Sequence, residues 1–424
     1  MQKVILILIG LIMGWQGVAG AVGSSGFENA TLGARGLSRG DAVTADPEDA
    51  STLAFNPAGL SKLEGNQAYL GPNLFLTKYN YDGLGTLKDE GASRSLIATA
   101  YSYVKMDTPI EKLDLGIGAN SPFGLITHYS STGNFAHVAY WNEFKSLAYH
   151  LSFSYQLFEN LSIGAGWSHV EAKLKQIGKF NRNLLAGTTN HPEFEYDVEG
   201  EGNGYNLGLL WDVDESNAIG LYYRSEIRTA LEGSMSTHHL DGTFAAVFGT
   251  ANHETSAKTN VTLPANVTAA WNHRFNEKLD YAVEVSWTGW GSFDHIQSTF
   301  GNSNAVLAGF EKITRDFSDT WSVNTGGSYQ LNPEWTLNAG YYWQQMAANP
   351  LNYTNEIPDA DRHGLSVGFS HQINERTALD FAYLLVLYEE AQIGNTAGSS
   401  NLADVDGTYS GHMHIWSVGL KIEI

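Results

Sequence analysis

The sequence predicts an all-β protein: a transmembrane antiparallel β-barrel of about fourteen strands, with an N-terminal hatch, or plug, inside its lumen. Three observations point there. First, of 424 residues only 16% are charged, while 12% are aromatic and 45 are glycine. Beyond the N-terminus, no apolar run approaches the ~20 residues that a membrane-crossing helix needs. Second, apolar residues alternate with small polar ones. Third, short polar turns alternate with long polar connections. Composition also excludes several classes. With no cysteine there is no disulfide framework, zinc finger or iron–sulfur site. A net charge of −21 argues against a nucleic-acid partner, since phosphate affinity needs clustered Lys and Arg. A mean hydropathy of −0.22 argues against a helical membrane bundle.

Residues 1–21 read as a signal peptide. Lys3 is the only charge before Glu28. Val4 to Met13 form an apolar core within the ~7–15 residues of a secretory h-region, and Ala19-Gly20-Ala21 supplies small residues for cleavage. The core is too short for an anchoring helix and no basic stop follows it. Residues 22–64 show little alternation and many Gly, Ala, Ser and Asp. They are too poor in hydrophobics for a core of their own. A flexible periplasmic extension and a plug inside the barrel both fit; the second is the sharper reading.

Residues 65–424 read as the barrel. Leu147, Tyr149, Leu151, Phe153, Tyr155 and Leu157 alternate strictly with Ala148, His150, Ser152, Ser154 and Gln156, which puts them on opposite faces of a strand. Trp416, Val418, Leu420, Ile422 and Ile424 repeat the pattern at the end. The Gly- and Ser-rich face suits a wet or loosely filled lumen, and the apolar face suits lipid. Short turns fall near Glu111-Lys112, Glu159-Asn160, Asp214 to Ser216, Asn276 to Lys278, Asn332 to Glu334 and Asn374 to Arg376. Longer connections lie near 82–92, 125–138, 177–195, 234–256, 297–316, 346–361 and 391–408. Six turns and seven loops give about fourteen strands, with both termini on the short-turn side. A closed ring leaves no backbone edge facing lipid.

Several short motifs occur in a fixed order. Ser24-Ser25-Gly26, Gly36 and Asn56-Pro57-Ala58-Gly59 come first. Ser121-Pro122-Phe123-Gly124-Leu125, Tyr223-Arg224-Ser225-Glu226, Leu263-Pro264 and Trp287-Thr288-x-Trp290 follow. Asp319-x-Trp321, Trp335-Thr336, Gly340 and Ile357-Pro358-Asp359-x-Asp361-Arg362 complete the set. On these residues the chain resembles the FadL-type outer-membrane transporters over nearly its whole mature length. The resemblance implies a hatch-plugged barrel in the outer membrane of a Gram-negative bacterium. It implies uptake of long-chain fatty acids, or of aromatic and aliphatic hydrocarbons as in relatives resembling TodX; a general porin is the further alternative. It implies no enzyme, no cofactor and no metal. The implied partners are hydrophobic small molecules, outer-membrane lipid and lipopolysaccharide, and the barrel-assembly machinery. Ile424 departs from the Phe that ends many such barrels.

The resemblance also suggests a route: landing between external loops, an interior pocket, then a sideways exit at a kinked third strand. The kink candidate is Asn120-Ser121-Pro122-Phe123-Gly124, because proline offers no N–H to a ladder. A plain strand end is the competing reading. Phe244, Val247 and Phe248 in one loop, and Leu184 and Leu185 in another, are candidates for the landing groove; loop packing alone would also use them. Lys173 and Lys175, and Arg362 at the start of strand twelve, are candidates to hold a carboxylate. On a strand, Arg224 and Arg228 share a face, as do Lys173 and Lys175; their commoner role is pairing with interior or loop carboxylates. Ser318 stands where the fatty-acid transporters carry a lysine before an Asp-x-aromatic motif, which favours an uncharged substrate. Asn56, Pro57 and Ala58 are expected to anchor the plug, with Asp46, Glu48 and Asp49 available to interior arginines. His412-x-His414 and Gly200-x-Gly202-x-Gly204 form no catalytic, metal or phosphate signature.

Overall fold

The structure, a computed structural model, describes residues 26–29, 32–85, 87–93, 95–180, 191–394 and 405–424. The predicted signal peptide, the first residues of the predicted hatch, and Leu184 and Leu185 lie outside them. Among the described residues, fourteen antiparallel strands close into one barrel. They are β1 (Gln67–Gly83), β2 (Ser95–Asp107), β3 (Leu113–Asn120, resuming at Gly124–His128), β4 (Trp141–Phe158) and β5 (Leu161–Lys179). Next come β6 (Glu193–Asp212), β7 (Asn217–Arg224 and Ile227–His238), β8 (His253–Leu263 and Asn266–Asn276) and β9 (Leu279–Thr288 and His295–Phe300). The ring continues with β10 (Lys312–Thr314 and Thr320–Asn332), β11 (Trp335–Gln344), β12 (Arg362–Asn374), β13 (Thr377–Ile393) and β14 (Gly407–Glu423). It closes where β1 pairs with β14, from Gln67↔Glu423 to Gly83↔Gly407.

Alternation sets which face is which. On β4, Ser152 and Ser154 are buried while Leu151, Phe153 and Tyr155 are exposed. An apolar belt facing outward is stable only against lipid. No helix among the described residues is long and apolar enough to cross a membrane; the crossing is made by strands. Aromatic and histidine rings stack on the outer wall in two bands. Trp271–His273 and Trp335–His371 lie by the short turns; Tyr341–His363 and Tyr383–His414–Trp416 lie toward the long loops. Such amphipathic rings suit the two membrane–water boundaries.

Four strands change phase midway, β13 among them between Tyr388↔Gly411 and Ala391↔Tyr409. β3 pairs with β4 as Asn120↔Ala148 and then as Gly124↔Lys145. That is four steps on β3 (120 to 124) against three on β4 (148 to 145). One extra residue flips every following side chain to the other face. β7 does the same against β6, between Asn206↔Arg224 and Glu201↔Ala230. β8 flips in step with β7 across Pro264-Ala265.

Residues 32–66 form α1 (Ala34–Ser38), α2 (Thr52–Phe55) and a 3-10 turn (Pro57–Lys62). They lie against the inner wall. Gly164 and Gly208 face each other across β5 and β6; a Cβ on either would collide with Asn56-Pro57-Ala58. Gly326 and Gly340, partners on β10 and β11, take the Arg39 carbonyl in the same way. Only glycine lets two backbones approach this closely. Asn56 Nδ2 donates to the carbonyls of Thr44 (2.9 Å) and Leu209 (3.0 Å), and Ser154 Oγ donates to the Ala58 carbonyl at 2.8 Å. Asp46 accepts from Arg35 and Arg39, and Arg39 reaches Asp280 of β9 at 2.5 Å. Burial alone would raise the Asp46 pKa, but the two guanidinium groups hold it down to about 2.

Candidate hydrophobic-ligand site

Above this segment, at the long-loop end, lies a cavity of about 510 Å³, within the range of small-molecule sites. Its wall is aromatic. Phe180, at the end of β5, packs on Phe194 of β6 at 5.5 Å, on Phe244 at 5.2 Å and on Phe310 at 5.8 Å. Phe244 comes from α3 (Gly242–Phe248), which ends at Gly249 with φ +73°. The four-residue spacing puts Phe244 and Phe248 on one helix face, and both are buried. Val247 packs half-buried against the same cluster. Two amines also line the cavity, Lys179 and Lys312. Lys179 Nζ donates to the Ser131 carbonyl at 2.6 Å.

A smaller space of about 40 Å³ adjoins it, sharing Leu174, Gln176, Ile296 and Glu356. Arg315 borders this second space, is 2% exposed and is already paired. It donates to Glu356 Oε2 at 2.5 Å and to Thr354 Oγ1 at 2.6 Å. Glu356 also accepts from Gln176 Nε2 at 2.9 Å. A buried ion pair so enclosed adds little net field. The floor is Phe27, packed on Phe144 (5.1 Å), Trp290 (4.9 Å), Phe293 (5.3 Å) and Phe123 (6.1 Å). Gly26 before it has φ +63°, and a Cβ there would sit 2.7 Å from the Trp290 ring.

Beside Phe27 the barrel wall opens. Pairing of β2 with β3 ends at Ser102↔Ala119. The next backbone hydrogen bond across this gap comes just before β2, where Ser93 N donates to the His128 carbonyl at 2.7 Å. Between these points β2 has no ladder partner on that side among the described residues. The backbone groups released at the break bond to the N-terminal segment. Asn29 N donates to the Pro122 carbonyl (2.8 Å), Gly124 N to the Phe27 carbonyl (2.9 Å), and Asn29 Nδ2 to the Ser121 carbonyl (2.9 Å). Phe123 N donates to Ser146 Oγ, which donates back to the Phe123 carbonyl. Asn120 Nδ2 donates to Tyr103 OH at 2.9 Å. Arg224 pairs with Glu28 at 2.6 Å and lies 5.0 Å from the Phe123 ring.

The structure corrects several expectations about cations. Lys173 and Lys175 project outward from β5, to Asp197 (2.9 Å) and Glu195 (2.6 Å) of β6; odd positions of β5 face away from the lumen. Arg362 is fully buried, paired with Asp359 and 4.8 Å from the Tyr388 ring, and does not line the cavity. Arg224 and Arg228 do not share a face. The phase change between them leaves the Arg224 side chain 16% exposed and that of Arg228 80%. His412-x-His414 lies on the outer wall, not in the lumen. Sequence reasoning missed Phe27, Phe180, Phe194, Lys312 and Arg315. The run Lys312-Ile-Thr-Arg315 was itself a signal, as a basic pair in a loop that otherwise carries only the two flanking acids Glu311 and Asp316.

A family model described as outer membrane protein transport protein (OMPP1/FadL/TodX) matches residues 16–423. A long-chain fatty acid transport protein of Escherichia coli O6:H1 is 25% identical over 395 residues, 84% of this chain and 85% of that one. A Pseudomonas aeruginosa FadL homologue superposes with a TM-score of 0.84 at 20% identity, covering 94% of this chain and 100% of the other. The Pseudomonas putida toluene transporter TodX gives 0.73 at 17%, covering 96% and 100%. At these identities the two structures show a shared fold.

Proposed function

The chain belongs to the OMPP1/FadL/TodX family of outer membrane transport proteins, and from that premise we propose that it takes up amphipathic hydrophobic compounds, long-chain fatty acids first among them. The observation that carries this reading is the aromatic cavity with two lysines in its wall. The aromatic cluster of Phe180, Phe194, Phe244 and Phe310 gives an alkyl chain an apolar bed. Lys179 and Lys312 give a carboxylate charge-assisted donors. Residues 26–64 act as the hatch, with Asn56, Pro57 and Ala58 as its anchor, and Phe27 separates the cavity from the space below. The opening between β2 and β3 offers an apolar ligand a way into the bilayer that never crosses water. Hatch occupancy of the lumen opposes the general-porin alternative.

Ser318 and the neutralised Arg315 favour a second reading, uptake of uncharged hydrocarbons. Binding of labelled oleate and toluene to the purified protein separates the two. Replacing Lys179 and Lys312 by Ala is expected to weaken oleate binding by about tenfold to hundredfold, the value of one charge-assisted contact, and to leave toluene unchanged. Equal oleate affinity in the variant would hand the case to hydrocarbons. Binding of neither compound would sink the proposal.

A further inference from the structure

Below Phe27 the lumen holds a polar cavity of about 110 Å³, lined by the N-terminal segment on one side and by β7 to β11 on the other. Three carboxylates line it, Glu28, Asp41 and Glu284, against one cation, Arg224. Arg224 is taken by Glu28 at 2.6 Å. Asp41 and Glu284 are therefore left as two carboxyls without a cation. Arg39, the neighbouring cation, is committed to Asp46 and Asp280.

Asp41 is the informative residue. It is 7% exposed, and neither carboxylate oxygen has a hydrogen-bond partner in the protein. Its backbone is left-handed, φ +61°. That placement is imposed by neighbours, since Gly40 N donates to Ser366 Oγ (3.0 Å) and the Gly40 carbonyl accepts from Asn324 Nδ2 (2.7 Å). Glu284, 4% exposed, accepts from Thr44 N (2.5 Å) and Thr44 Oγ1 (3.0 Å). Burial and this second anion push the Asp41 carboxyl well above its usual range. Gln344 Oε1, on a residue also 7% exposed, lines the same cavity without a partner.

A buried anion without a partner is costly, and two neighbouring ones also repel. Every donor set around this space is oxygen, which selects a hard cation over zinc or copper. Two carboxyls without a counter-cation match a divalent ion, whose binding would ionise both. The ligands come from irregular positions on separate elements, which suits the tolerant geometry of calcium better than the strict octahedron of magnesium. The volume leaves room for the ion and a few waters. Among the described residues no three His, Asp or Glu side chains cluster as a metal set; here an amide oxygen supplies the third donor. We propose that this cavity binds a calcium ion between Asp41, Glu284 and Gln344 Oε1, tying residues 40–46 to β9 and β11. The site is independent of which hydrophobic compound the upper cavity takes.

The test uses the full chain in detergent, stripped with a chelator and titrated with calcium calorimetrically and with terbium by tyrosine-sensitised luminescence. One site per chain is expected. Asp41→Asn should lose it, since Asn keeps the left-handed backbone without the charge. Glu284→Gln and Gln344→Leu should weaken it roughly tenfold, and the surface control Glu232→Gln should not change it. Retention of the band shift on heating verifies that each variant is folded. No calcium binding by the wild type, as a protonated Asp41 would give, overturns the proposal; so does undiminished binding in Asp41→Asn. If Asp41→Asn does not fold, unchanged affinity in both other variants overturns it equally.

Discussion

Phe27 does two jobs at the scale of one residue. Its ring fills the contact between Phe144, Trp290 and Phe293, and its carbonyl accepts from Gly124 N at the break in β3. Phe27→Ala should cost about 3–5 kcal/mol of local packing and loosen residues 26–29 from the wall. The expected readout is a rise in ion conductance across planar bilayers, because the upper and lower cavities then join. Oleate affinity at the upper cavity should stay within about twofold, less than 0.5 kcal/mol. Unchanged conductance would mean that the floor is held by Trp290 and Phe293 alone. Nothing in its local sequence distinguishes Phe27: its partners come from strands remote in the chain.

At the scale of an element, the break in β3 was legible through Pro122, but the proline is not its only cause. The strand carries one residue too many relative to β4, and its released groups are bonded to Phe27, Asn29 and Ser146. Pro122→Ala restores one N–H and leaves the register mismatch, so the break should persist and oleate uptake should fall little. Deleting Ser121 restores the phase and should re-form the β2–β3 ladder. Uptake is then expected to drop steeply while binding to the purified protein persists. Full uptake with an intact ladder, shown by amide exchange protection on β2, would rule out lateral exit. The same kind of mismatch separates Arg224 from Arg228. Strict alternation could not foresee it, because one inserted residue reverses all later assignments.

At the scale of the whole molecule, the acidic excess has more than one meaning. Some of it lies on the outer wall, as Glu195, Asp197 and Glu199 opposite Lys173 and Lys175. Some holds the N-terminal segment in place. Asp46, held down to about 2 by Arg39 and Arg35 against the cost of its burial, gives a directional prediction. A depressed carboxyl contributes stability above its unfolded pKa near 4 and loses it as pH falls toward 2. About 2 kcal/mol should disappear across that window, seen as a falling thermal transition in detergent. Asp46→Asn should be less stable at neutral pH and flatter below pH 4. A wild-type curve as flat as the variant's would remove this pair from the account.

The sequence by itself determined the class, the strand count, the turn positions and the inward and outward faces of the regular strands. These are local properties, written in a two-residue period and in turn chemistry, and they need no knowledge of neighbours. It also determined the family resemblance, carried by motifs in fixed order. Tertiary structure alone decided which charges meet and which side chains share a space. Lys173 and Lys175 passed from binding candidates to outer-wall ion pairs, and Arg362 to a partner of Asp359, while Lys312 and Phe180 came to line the cavity. The physical reason is that closing a barrel joins strands far apart in the chain. Which residues converge in its lumen depends on register and on single inserted residues, and neither leaves a local trace.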